Sequence, residues 1–175
     1  MHTRGDGHRP GATSVEFAVV AIIAFVLLFG LFEYARFLFV HHVTTNAARD
    51  AARFAAVRTG GGTMPGEPAT VTVDDVKEVA RSGLFNGQRY GAGMCGADSQ
   101  LDGFAVAVFA VPDADLNGTP PNLDPAGKPA WNSAAFHQKI AVQVTGTYKP
   151  VLYSLLGFSG DVPVKVTVLV SSEGN

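Results

Sequence analysis

The sequence predicts an α+β chain. One long apolar N-terminal helix carries a small head, and the head holds one short helix and an antiparallel sheet of about three strands. Three observations carry this expectation. Phe17 to Phe32 contains no charged residue. Val43 to Val57 is alanine-rich, free of glycine and proline, and apolar at helical spacing. Beyond a glycine- and proline-rich break, Val-rich segments alternate with period two, as antiparallel strands with one wet face do.

Length and composition narrow the function classes. At 175 residues the chain suits one small domain plus an anchor. Hydrophobic residues make up 47%, and they crowd into the first third. A net charge of -2 gives no general attraction to nucleic acid. The single cysteine, Cys95, has no internal disulfide partner, which leaves a buried or loop thiol or an intermolecular bridge open. It has no His and Asp at a nucleophile's spacing. No phosphate loop, metal-ligand cluster or nucleophile motif is present, so neither an enzyme nor a cofactor is expected.

Met1 to Pro10 is polar, with Arg4 and Arg9 set against Asp6, in the manner of a positive segment retained on the cytoplasmic side. His2 and His8 read as solvated. Glu16 then stands at the mouth of the apolar run. An acidic residue deep in a bilayer costs roughly 2.5–3.5 kcal/mol, so Glu16 calls for a cationic partner. Were the chain cut after Gly11, the new α-amino group of Ala12 would lie one helical turn away. A neighbouring subunit's amine would serve equally well. An ordinary secretory signal fits poorly: the apolar run exceeds the usual span of about 7–15 residues, and no small-residue cleavage site follows it.

Phe17 to Phe32 is short of the roughly 20 apolar residues a span needs. Apolar character resumes at Phe37 to Val40, so the spanning part is expected from Ser14 to about Val40. Glu33 and Arg36 are three apart and can pair, and Arg36 can also snorkel to a headgroup layer. His41 and His42 are expected at the interface. Arg36, Arg49, Arg53 and Arg58 follow the span, so positive charge alone does not orient it. Above the span, Asn46, Arg49, Asp50 and Arg53 mark a polar side. Ala47, Ala48, Ala51, Phe54 and Ala55 mark an apolar side that would pack on the head or on a neighbour.

Gly11 followed by Ala12-Thr13-Ser14-Val15-Glu16-Phe17 and an apolar helix resembles the class III leader of type IV-like pilins. Gly30-Leu31-Phe32-Glu33-Tyr34-Ala35-Arg36 and Asn46-Ala47-Ala48-Arg49-Asp50-Ala51-Ala52-Arg53-Phe54-Ala55 resemble the TadE family, minor pilins of the tight-adherence pilus system. The resemblance runs from about Arg9 to Val57 and returns weakly from Val162 to Glu173. It implies cutting by a prepilin peptidase between Gly11 and Ala12, and assembly roles for Glu16 and Phe17. It implies a single-pass protein of the bacterial inner membrane, N-terminus cytoplasmic and head extracytoplasmic. The implied partners are other pilins and Tad secretion components. The division is then a leader at 1–11, the helix at 12–58, a linker at 59–69 and the head at 70–175. An unprocessed bitopic protein with a small binding domain is the alternative.

In the head, Thr72 reads as an N-cap with Asp74 and Asp75 in the first turn. Val76, Val79, Ala80 and Leu84 follow at helical spacing, and Gly83 can end the helix. Phe104 to Val111 is continuously apolar, so burial on both faces is expected. Ile140, Val142 and Val144 alternate with Ala141, Gln143 and Thr145, and Tyr148 extends the run. Val162 to Val170 alternates likewise. Tyr153 to Phe158 is an apolar connection for a membrane, a partner or a buried crossover. In the long loop from Val111 to Trp131, Asp113, Asp115, Asn117 and Gly118 match the first half of a calcium loop. The second half departs, with Pro120, Pro121 and Asp124, so a plain turn is the simpler reading. His137 is an isolated histidine.

Overall fold

The computed structural model describes residues 10–59, 70–94, 96–152 and 160–173. The leader before Pro10, the break at 60–69, Cys95 and the connection Tyr153 to Phe158 lie outside the described residues.

Helix α1 runs from Pro10 to Val57, 48 residues, or about 72 Å at 1.5 Å per residue. Pro10 starts it at no cost, because the first turn has no use for the missing N–H. The helix has two regimes. From Thr13 to Phe32 no residue is buried, and Phe17, Leu27 and Leu31 are among the exposed side chains. From Glu33 onward one stripe faces the head. Val40, Thr44, Ala47, Ala48, Ala51, Ala52 and Ala55 are each at most 1% exposed, and they recur at i, i+3, i+4 and i+7. Alanine on that stripe lets a sheet approach the helix backbone closely. Thr44 is satisfied within the helix, its hydroxyl donating to the Val40 carbonyl at 2.8 Å. The apolar stretch expected to span as far as Val40 therefore gives its last two turns to the head.

Helix α2 spans Val73–Ser82. Thr72 caps it: its hydroxyl accepts from the Asp75 N–H, and the Asp75 carboxylate accepts from the Thr72 N–H at 2.7 Å. Gly83 ends it in the left-handed conformation. A short hairpin follows, β1 at Leu84–Phe85 and β2 at Gln88–Arg89, which the sequence pattern did not announce.

The sheet has order β3-β4-β5, all antiparallel: β3 Leu101–Val111, β4 Lys139–Tyr148 and β5 Val162–Ser171. A bulge at Asp102 to Ala105, with Gly103 at φ 66°, bends β3. Val142, Val144, Tyr148, Val164 and Val166 belong to the two clusters that also hold α1. The upper cluster gathers Ala51, Phe54, Val76, Val79, Phe85, Trp131 and Ile140. The lower one gathers Val40, Ala47, Met94, Leu101 and Tyr148.

Two burial expectations change. Ala141 and Gln143, expected on a wet face, are buried. The loop after β3 crosses the outer face of the sheet there; Leu116 and Leu123 pack beside Phe109, Val111 and Ala141, and the Gln143 amide donates to the Leu123 carbonyl at 3.1 Å. In β3, Leu101 and Val108 to Val111 are buried, while Phe104 to Ala107, expected to be buried on both faces, are not.

Gly83 and Gly93 meet back to back where α2 ends. A Cβ on Gly93 (φ 58°) would lie 2.4 Å from the Gly83 nitrogen, whereas one on Gly127 (φ 73°) would meet nothing within 4 Å. Gly127→Ala should therefore cost only the left-handed strain, about 1–2 kcal/mol. Gly93→Ala should cost distinctly more. Urea unfolding of both variants in detergent checks the order; equal midpoints would contradict this packing.

Candidate functional site: the clasp between helix and head

Glu33 sits where the bare part of α1 meets the packed part. On the helix stripe it precedes Phe37, Val40 and Thr44 by successive turns, so it points at the head rather than away from it. Its Oε1 accepts from the Tyr148 hydroxyl at 2.5 Å. Its Oε2 accepts from the backbone N–H groups of Val151 and Leu152, both at 3.2 Å. Val151 and Leu152 are helical and follow β4 closely. The carboxylate meets both of their N–H groups, which the first turn of a helix leaves without a backbone partner.

Arg36 completes the clasp. It lies 3.5 Å from Glu33 Oε1 and donates to Gln100 Oε1 at 2.9 Å and to the Lys149 carbonyl at 3.3 Å. Its guanidinium also lies 5.0 Å from the centre of the Tyr148 ring, and the Phe37 ring meets that tyrosine edge-on. One helical turn thus binds the end of β4, the turn after it and the segment before β3. The expected Glu33–Arg36 pair forms, but the shortest contacts of both residues go to the head. Arg36 reaches Gln100 and Lys149 rather than a headgroup layer.

A second attachment closes the top of α1. Arg58, read from sequence as one more cation beyond the span, is 3% exposed. Its guanidinium sits over Phe54 at 3.8 Å and Tyr90 at 4.8 Å, with Phe85 at 5.7 Å. The Thr59 and Ser172 hydroxyls share a 2.5 Å hydrogen bond, and Glu173 N donates to the Ala56 carbonyl at 2.9 Å. Between the two attachments, Asp50 accepts from Ala92 N at 3.2 Å. Asn46, Arg49 and Arg53 form the exposed back of the helix.

The remaining sequence-predicted residues lie apart from the clasp. Gly11 and Ala12 are in the first turn of α1. Glu16 and Phe17 are exposed, about 25 Å along the axis from Glu33. His41 and His42 are exposed too. Asp113 to Leu116 forms a helical turn, α3, and Asp115 is paired with Lys128 at 2.6 Å. Asn117 donates its N–H to the Asp113 carbonyl. Among the described residues no three His, Cys, Asp or Glu side chains converge as metal ligands. His137 adopts φ 66° and meets the Phe136 ring edge-on.

Burial, and then the hydrogen bond to Glu33, raise the Tyr148 hydroxyl from 10.0 to about 12. The folded state thus holds this proton more tightly than the unfolded chain. The stability tied to it is complete below pH 10 and is lost as pH rises through about 12. Titrated by tyrosinate absorbance, the chain should show a late phase that Tyr148→Phe removes. An unchanged titration in that variant would contradict the clasp.

Residues 11–53 match the family model described as TadE-like protein. No curated protein and no solved structure matches the chain. The matched stretch holds the apolar run, Glu33, Arg36 and most of the alanine stripe. It is the family to which the Glu-Tyr-Ala-Arg and Asn-Ala-Ala-Arg segments pointed, and residues 11–53 of the long helix are similar to it.

Proposed function

We propose that this chain is a TadE-like minor pilin of a tight-adherence pilus, cut after Gly11 by a prepilin peptidase and acting in pilus assembly. The observation that carries the reading is the two-regime helix. Thr13 to Phe32 is bare, 20 residues or about 30 Å long, the thickness of a bilayer's hydrocarbon core, and it is uncharged from Phe17 onward. It lies within a helix apolar enough to cross a membrane. Above it, one stripe of the helix is already covered by the chain's own head.

A bare apolar rod is stable in lipid before assembly and among other helices after it. Glu16 lies at the start of that rod, exposed and available to another chain. In a helix bundle its carboxylate would meet the Ala12 amine of a neighbouring subunit, each offsetting the other's desolvation. The head, held extracytoplasmic, would contact other pilins and Tad secretion components. The role is structural rather than catalytic.

The alternative is an unprocessed bitopic protein. It draws support from the start of α1 at Pro10, which puts the Gly11–Ala12 bond inside a helical turn. Mass spectrometry of the protein from its native membranes separates the two. A chain beginning at Ala12 is expected; an intact Gly11 in cells with an active prepilin peptidase would favour the alternative. Glu16→Ala should leave membrane insertion intact and abolish piliation, and normal piliation in that variant would refute the assembly role.

A further inference from the structure

The geometry points to a second membrane contact: the turn Lys149 to Leu152 rests in the lipid interface beside the helix. This rests on the reading of Thr13 to Phe32 as the spanning segment. Phe29, Phe32, Glu33, Arg36, Val151 and Leu152 line one cleft, apolar but for the paired charges. Phe29 lies one turn below Glu33, so the head reaches at least that far down the bare rod. Val151 is 58% exposed at that level and continues the apolar surface of Phe29 and Phe32, which are 50% and 64% exposed.

Two further features fit lipid as the occupant. The backbone N–H groups of Val151 and Leu152 are both met by Glu33, and that carboxylate is itself met by Tyr148 and Arg36. Backbone placed near hydrocarbon needs this, because lipid supplies no hydrogen bonds. The residues ringing the level are also of interfacial type. Tyr34 is 59% exposed on the helix, Arg36 is half-buried, and the Lys149 side chain is 59% exposed. Lys149 is paired with Asp102 at 2.6 Å. Its charge is therefore met within the head, and the contact is apolar rather than a capture of anionic lipid. The turn would act as a stop that sets how deeply the helix sits and how the head leans.

The test places a nitroxide at position 151 of the full chain, as Val151→Cys with Cys95→Ser, in phosphatidylcholine vesicles. Phe25→Cys and Leu169→Cys, in the same background, mark mid-helix and the outer face of the sheet. Collisions with oxygen and with a water-soluble nickel chelate are read at each site. Loss of nickel relaxation at 151, with oxygen relaxation kept, is the expected result. Nickel access at 151 equal to that at 169, with 25 still in lipid, would overturn this inference and leave the anchor standing. Nickel access at 25 would overturn the anchor as well. Shielding of 151 from both probes would mean that protein covers the turn, which also refutes lipid contact.

Discussion

The structure depends on one carboxylate in an expensive place. Glu33 interrupts an apolar helix, and an unpaired charge there would be strongly unfavourable. Four groups answer it: the Tyr148 hydroxyl, two backbone N–H groups of the following turn and the Arg36 guanidinium. Three of the four come from the head, or from the turn that follows its central strand. The charge is thus tolerable only when the head is docked, so the desolvation cost becomes a constraint on head position. Removing the carboxylate would leave the part-buried Tyr148 hydroxyl and Leu152 N–H, and the exposed Val151 N–H, without their acceptor; the full loss of about 1–3 kcal/mol applies only to a donor that is buried and left unmet.

Above Glu33 the contact is made by size rather than charge. A stripe of alanines brings β4 and β5 against α1, and the clusters around Trp131 and Tyr148 fill the space between. Alanine contributes little burial of its own. What it allows is contact between the larger side chains of α2, the sheet and the helix at either end of the stripe. Arg58 among Phe54, Phe85 and Tyr90 closes the top, as Glu33 closes the bottom. Two attachments about 25 residues apart leave the upper helix little freedom to swing from the head. Conformational freedom is then concentrated in the bare rod below Glu33, the part on which assembly would act.

Much of this was legible in the residues. The α1 stripe followed from the spacing of Ala47, Ala48, Ala51 and Ala55, and the α2 caps from Thr72, Asp75 and Gly83. Three strands followed from apolar runs and alternation, with β4 and β5 placed nearly to the residue. What escaped was long-range. Glu33 and Arg36 could be paired with each other from their spacing, but nothing local announces Tyr148, 115 residues away. Arg58 read as a surface cation because only Phe54 of its cage lies one turn away on its own helix, while Phe85 and Tyr90 come from the distant β1–β2 hairpin. The burial of Ala141 and Gln143 depended on where a proline-rich loop would lie, which alternation within a strand cannot reveal. The short hairpin β1–β2 was missed because strands of two residues have no period to detect.

The central claim is that the Glu33 carboxylate holds the head on the helix. Amide hydrogen exchange of Val151 and Leu152, resolved by NMR in micelles, tests it most directly. In Glu33→Ala both amides should exchange faster than in the wild type, about tenfold for each 1.4 kcal/mol lost, while Val76 and Val79 in α2 stay protected. Equal exchange at Val151 and Leu152 in the two proteins would show that the carboxylate does not hold the head, and the account would fail there.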